Sequence, residues 1–453
     1  MKKTLLLTMA LGLASVASLS AQSTVDVYLT GSTAFRANAY VAATKLYASA
    51  PTIYYGSAAN GGADSGFSSS TASWVMTGTP ITGITNLAGK TLVVHGLFTG
   101  SIQGVAAVEA GTKLKFPAPS GSAGGLCNAY VTNSATMAFD DCSASVTPYP
   151  PTGNYTEEAV AVIPFFFAKS VAGGVMTNIN NVSWEQARYG IPQGRIPLSA
   201  WTAKQSDTNT FIYLMQRTSD SGTRRCETAC SYYTYGDPVN VYLYDKTNNF
   251  FYLPTTNLVN TYATSPNGVV GTAGLGNVNL NWGYGYVAGG DIKNTLNLAS
   301  VSNTAIGFIS FSDGKGVGAT SYTNVLSFNG VWPTAEGIGI RTGTSVTNDF
   351  SPITQGYYPL WSELALIHII DPSLAGDQNI SQSQLGNNTT PGSFLGVFNA
   401  QTKINGGSPL VGSIEKEVVD SQTSGSAAGG ATAIPLRDMK CSRQSVGGTI
   451  TPF

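Results

Sequence analysis

The chain has 453 residues, a formal net charge of −1 and only 10% charged residues, well below the roughly 25% of an average globular protein. That balance excludes a basic footprint for nucleic acid and a polybasic patch for a membrane surface, so any partner must be recognised locally. With 52 glycines and abundant Ser, Thr and Asn, the surface is expected to be polar, weakly charged and rich in loops, over a length of two to three domains.

Met1-Lys2-Lys3, an apolar run from Thr4 to Leu19 and the small pair Ser20-Ala21 follow the pattern of a secretory signal over residues 1–21. The run is short for a membrane span, and no later segment reaches that length. No cysteine stands at the expected cut to carry a lipid. The expected product is therefore an exported protein, periplasmic or extracellular, with no membrane span after signal cleavage. In an oxidising compartment Cys127 and Cys142 are one candidate disulfide pair, which could close a short loop. Cys226 and Cys230 are a second candidate pair, although a four-residue helical spacing fits disulfide geometry poorly. Cys441 is then left over. His95 and His368, the two histidines, lie at no zinc-site spacing from the cysteines, and neither a metal nor a cofactor is expected.

Along the chain, Val25–Thr30 alternates like a strand and runs into Gly31-Ser32-Thr33-Ala34-Phe35, followed by a helical pattern to Ala48. Leu92–Gly96 is a short apolar strand that runs into Thr99-Gly100-Ser101 and a helix over 102–110. Residues 56–79 and 116–134 read as Gly/Ser-rich loops. A strand then ends at Asp140-Asp141, and Val160–Lys169 is a strand apolar on both faces, as in the centre of an α/β sheet. Trp184–Tyr189 reads as a short helix. The strand Phe211–Met215 leads into Arg217-Thr-Ser-Asp-Ser221-Gly222-Thr223 and a further helix. Residues 231–281 read as a β-hairpin insertion, from the alternation in Val239–Tyr244 and Phe250–Leu253. A helix over 291–298, a strand over 306–311 and a long crossover strand over 355–370 follow, before a Gly/Ser-rich tail. Alternating strands and helices make this an α/β chain with mixed sheets.

Three strand–Gly/Ser/Thr–helix junctions and an Asp pair all fall at strand ends, where ligands of open α/β sheets bind. A glycine lets the backbone approach an anion, the hydroxyls donate, and helix N-termini present free N–H groups. Arg217 adds a planar donor fork suited to a tetrahedral oxyanion. Taken alone, Ser221-Gly222-Thr223 reads first as a helix cap with Arg217 a surface charge, and Asp141 equally as a turn residue.

The order of these segments resembles the phosphate-binding proteins of bacterial ABC phosphate importers, within the type II periplasmic binding proteins. Thr30–Phe35 and Gly96–Ser101 resemble the family's ligand turns, and Phe139-Asp140-Asp141 falls where the family carries its ligand aspartate. Arg217 with Ser221-Gly222-Thr223 matches its Arg-x-x-x-Ser-Gly-Thr motif. Ile306–Ser310 and Gly356–Leu360 resemble later segments. The resemblance implies two α/β lobes joined by two crossover segments, residues 22–165 with 345–430 and residues 166–344; the Gly/Ser/Ala/Thr-rich composition near the end leaves 431–453 as a loosely held tail. The resemblance also implies a ligand set of Ser32, Thr33, Thr99, Ser101, Asp141, Arg217, Ser221, Gly222 and Thr223, with Asp140 as the alternative register. The implied ligand is inorganic phosphate or a similar oxyanion, and the implied partner is an ABC permease. Ser219 stands where the family often has Asp, and Ala34 where a hydroxyl is common.

Arg224 and Arg225 are expected outside the site, as solvated charges or partners of Glu227. His95 and His368 are expected to be structural. Trp282, Tyr284 and Tyr286 read as packing around a Gly-rich loop, or as a sugar-stacking platform. No Gly-x-Ser-x-Gly elbow occurs at a strand-to-helix turn and no histidine is placed to activate Ser221, so an enzyme is not expected. The alternative is a surface or structural protein that reuses the binding-protein fold, favoured by the low charge and the Tyr-rich insertion.

Overall fold

A computed structural model describes residues 23–56, 73–149, 153–170, 174–219, 221–233, 237, 239–245, 248–253, 285–286, 289–298, 304–314, 324–335, 349–372, 378–399, 418, 433–443 and 447–452. Ten strands form one mixed sheet: β1 (Thr24–Gly31), β2 (Thr52–Tyr55), β3 (Ser73–Gly78), β4 (Thr91–Leu97), β5 (Met137–Asp140), β6 (Tyr155–Lys169), β7 (Arg195–Pro197), β8 (Phe211–Met215), β9 (Ala305–Ser310) and β10 (Trp361–Ile369). Their spatial order is β7-β8-β9-β6-β10-β5-β1-β4-β3-β2. The principal helices are α1 (Arg36–Thr44), α2 (Ser101–Glu109), α3 (Trp184–Gln193), α4 (Gly222–Cys230) and α5 (Gly289–Leu296). The α/β class expected from the alternating pattern is the one the chain adopts. No helix among the described residues is long and apolar enough to cross a membrane.

β1 is parallel to β4 and β5, and β8 is parallel to β9. The two halves of the sheet are joined through β6 and β10. Residues 155–164 of β6 pair antiparallel with β10, whereas residues 165–169 pair with β9. The handover falls at Pro164, opposite Trp361. Proline cannot donate to a ladder, so it suits the point where a strand changes neighbours. From Val160 onward β6 is buried continuously, as its unbroken apolar run requires. Phe165 and Phe167 both pack on Phe308 of β9, with ring centroids 5.5 and 5.2 Å apart; a fully buried side chain of this size contributes roughly 1.5–3 kcal/mol.

Several segments differ from the sequence reading. Residues 56–79 and 116–134, expected as loops, contain β3 and one strand of a separate hairpin, Leu114–Pro117 with Tyr130–Asn133. Each of these strands is short, and tertiary pairing overrides the Gly/Ser-rich signal around it. The crossover strand begins only at Trp361, because Ser351–Thr354 forms a helical turn and Pro359 interrupts the approach. Within the insertion, Leu243–Asp245 pairs with Phe250–Tyr252 as a hairpin. The tail packs closely: Ile434 bridges to Val162, and Arg443 lies 3.6 Å over the Trp361 ring and donates to the Pro359 carbonyl at 2.7 Å.

All five cysteines are free and buried, so neither candidate pair is joined in this structure. Cys127 is held at Tyr55 by a backbone hydrogen bond of 2.8 Å. Cys142 instead lies near Cys226, whose thiol donates to the Asp141 carbonyl at 3.0 Å. Burial pushes both thiols well above their usual range.

Candidate anion-binding site

The first turn is set by Gly31 at the end of β1, where φ is +117° and a Cβ would lie 2.6 Å from the Phe139 nitrogen. Only glycine fits a left-handed bend pressed against a neighbouring strand. The bend sends Ser32 N to the Phe139 carbonyl at 2.6 Å, which fixes the turn beside β5. The second turn is tied to the first, since Gly100 N donates to the Gly31 carbonyl at 3.1 Å.

Asp141 follows β5 directly and is 3% exposed. Ser101 Oγ donates to Asp141 Oδ1, and Asp141 N returns a bond to Ser101 Oγ at 3.3 Å. Thr223 Oγ1 reaches Asp141 Oδ2 at 3.3 Å. Burial raises the Asp141 carboxyl above its usual range, against the pull of Ser101, then Arg217, Ser32 and Thr223. The carboxylate therefore sits where residues from three turns meet. Gly222 closes the contact, because a Cβ there would run into Asp141 Oδ1 and stand 2.7 Å from Ser101 Oγ. Asp140 points elsewhere: its Oδ1 accepts from Cys142 N at 3.1 Å, as expected for strand neighbours on opposite faces.

Arg217 is 6% exposed and donates from Nε to the Tyr286 carbonyl at 3.1 Å, which fixes the plane of its fork. Ser221 is the N-cap of α4, yet its side chain makes no capping hydrogen bond. The same holds at the start of α1 and at Gly100 before α2. By contrast Ser183 caps α3 with a full capping box. At none of the three helices that begin at the turns does the N-cap residue cap its helix with its own side chain, an arrangement compatible with an anion at the helix start. Thr33 and Thr99 are half-buried, and Thr99 Oγ1 is buried without a hydrogen-bond partner.

One group at the site escaped the sequence reading. Arg36, at the start of α1, donates from Nη1 to the Thr33 carbonyl at 3.0 Å. Burial lowers its pKa, Asp313 works against that, and Arg217 adds to it. Two guanidinium groups from opposite halves of the sheet therefore share one field. The only sequence signal was an arginine directly after the first turn. Asp313 is oriented by Ser310 Oγ, at 3.2 Å.

Arg224 and Arg225 are buried, which corrects the solvated alternative, while Arg224 does act on Glu227, the other expected role. Arg224 Nη1 donates to the Arg217 carbonyl at 3.1 Å, and Arg225 donates to the Ser219 carbonyl. They brace the loop that carries Arg217. Asp220, Trp282 and Tyr284 lie outside the described residues. Tyr286 is buried and takes the Tyr244 amide on its hydroxyl at 3.1 Å, a packing role. His95 bridges the Pro117 carbonyl at 2.7 Å and Asp26 Oδ1 at 2.9 Å, and His368 lies within β10, so neither histidine is at Ser221.

Glu227, within α4, is 2% exposed with no hydrogen bond to Oε1. Burial pushes its carboxyl up from an ordinary 4.5 to about 8, with Arg224 pulling the other way. The unfolded chain releases this proton near 4.5 while the folded chain holds it to about 8. Stability therefore falls as pH rises through that window and levels off above it. Glu227→Gln is expected to flatten the fall and to stabilise the protein at pH 8 by roughly 2–4 kcal/mol. Urea unfolding of both proteins at pH 5 and pH 8 checks this, and equal falls in both would remove Glu227 as the source.

No protein-family model matches the chain, and neither does any curated protein. Among solved structures it is similar to an ABC-type phosphate transport receptor from Vibrio cholerae, at 15% identity and TM-score 0.36, covering 76% of this chain and 87% of that one. It is also similar to a phosphate-binding protein from Stenotrophomonas maltophilia, at 12% identity and TM-score 0.30, covering 62% and 74%. A third is a high-affinity periplasmic phosphate-binding protein solved with phosphate bound, at 12% identity and TM-score 0.34, covering 91% of each chain. At this level the likeness adds no argument about the ligand.

Proposed function

We propose that the chain is an exported solute-binding protein that captures phosphate, or a similar tetrahedral oxyanion, for ABC-type uptake. In this reading residues 22–165 with 345–430 form one lobe and residues 166–344 the other, and they close on the anion about β6 and β10. The supporting observation is Asp141, a buried carboxylate held by Ser101 and Thr223 from opposite halves of the sheet, with Arg217 nearby and, around it, three helix starts without a cap from the N-cap side chain. Hydrogen phosphate carries a proton that needs one acceptor among many donors, and a carboxylate supplies it. The same carboxylate repels fully ionised sulfate. Ser32, Ser101, Arg217, Ser221, Gly222 and Thr223 act as donors, directly or through their backbone, with Thr33 and Thr99 at the rim. Arg36 is a second guanidinium for the anion's charge.

Calorimetric titration of the mature chain, stripped of anion, with phosphate and separately with sulfate tests the reading. Phosphate is expected to bind at micromolar or tighter Kd and sulfate to give no heat. Asp141→Asn is expected to lose at least about tenfold in phosphate affinity, since a buried acceptor becomes partly a donor, and to gain affinity for sulfate. A folded protein that binds neither anion would sink the reading and leave the surface or structural role in its place.

A further inference from the structure

A cavity of about 550 Å³, lined largely by polar residues, opens where β6 begins and β10 ends. It is separate from the anion site. Its His368 pairs with Met137, three residues before Asp140 on β5, which is about 10 Å along the strand. The wall includes Thr156, Glu158, His368, Ser383, Asn387 and Thr390.

The chemistry of the wall follows from one hydrogen bond. His368 Nδ1 lies 3.0 Å from the Ile369 carbonyl. A carbonyl only accepts, so Nδ1 carries the proton, and in the neutral ring Nε2 is a bare acceptor. That nitrogen is buried without a hydrogen-bond partner, in a residue 1% exposed. The group facing it is another acceptor, Glu158 Oε1, at 3.8 Å. Asn399 Nδ2 already satisfies the other Glu158 oxygen. At 3.8 Å the Glu158–His368 pair is too long for a hydrogen bond, and with the ring neutral both atoms are acceptors, which together call for a donor with more than one hydrogen. The carboxylate makes a positively charged donor the better fit, because such bonds are the stronger ones. The opposite wall is preformed: Asn387 Oδ1 accepts from Thr389 N, Thr389 Oγ1 and Thr390 Oγ1 at 3.0, 2.8 and 2.9 Å. The volume falls in the range of small-molecule sites.

We propose that this cavity binds a small organic cation with N–H donors, a primary ammonium compound, held between Glu158 and His368. The proposal is independent of the anion reading. The test is calorimetry on the full mature chain with three probes: 1,4-diaminobutane, the isosteric 1,4-butanediol, and tetramethylammonium, a cation without N–H groups. The diamine is expected to bind with Kd below about 1 mM, and the other two at least about tenfold more weakly. Glu158→Gln, and separately Ser383→Trp at the exposed rim, are each expected to weaken diamine binding by at least about tenfold, with thermal unfolding as the control for folding. The rim variant keeps the test valid if the Glu158 variant folds poorly. Absence of diamine binding, equal binding of the diol or of tetramethylammonium, or indifference of binding to both substitutions would overturn the proposal.

Discussion

Arg217→Ala is expected to weaken phosphate binding by about a hundredfold, roughly 3 kcal/mol, the upper range for a hydrogen-bonded charge in a buried site. The side chain is nearly buried, and its Nε is committed to the Tyr286 carbonyl at 3.1 Å. That bond holds the guanidinium in a fixed plane. Removal also takes away a cation that pulls the Asp141 carboxyl down. Arg217→Lys keeps the charge and loses the fork, so an intermediate loss of about tenfold is expected. Calorimetric titration of the three proteins, with thermal unfolding as a control for folding, reads the series. An alanine variant that binds phosphate within about twofold of the parent would remove Arg217 from the site.

Gly222→Ala separates a binding role from a capping role more sharply. At the first position of a helix, replacing glycine by alanine ordinarily stabilises by up to about 1 kcal/mol. Here the added Cβ would run into Asp141 Oδ1 and stand 2.9 Å from Asp141 Cγ. Either α4 or the Asp141 turn has to move, and both carry the proposed ligand groups. The expected result is the reverse of the propensity effect: a loss of about 1–3 kcal/mol in stability and a loss of about a hundredfold in phosphate affinity. Urea unfolding together with titration measures both. A variant that melts higher and binds normally would return Ser221-Gly222-Thr223 to a plain helix start.

Much of the site was legible because its parts are local. Gly31 and Gly222 mark places where the backbone must come close, and the strand–turn–helix order follows from a change of hydrophobic period over a few residues. Choosing between Asp140 and Asp141 needed the pleat: Asp140 turns back to the Cys142 amide, while Asp141 meets Ser101 and Thr223. Arg36 was missed because nothing in its own neighbourhood distinguishes it from a surface charge. Its field partners, Asp313 and Arg217, are distant in sequence. Arg224 and Arg225 misled for the opposite reason. Adjacent arginines read as solvated or as partners of Glu227, and besides the pull of Arg224 on Glu227, carbonyls of the Arg217 loop take their donors and offset the cost of burial.

The sequence by itself determined the α/β class, the main strands and the turns of the candidate site, since these rest on periodicity and on glycines with a local steric duty. Only the tertiary structure decided the thiol environment, with Cys142 beside Cys226 and no disulfide, and the docking of the tail on β6 and β10 through Ile434 and Arg443. The same is true of the facing acceptors Glu158 and His368. Each of these joins residues far apart in the chain, where no pattern of spacing registers and only the closing of the sheet sets the distance.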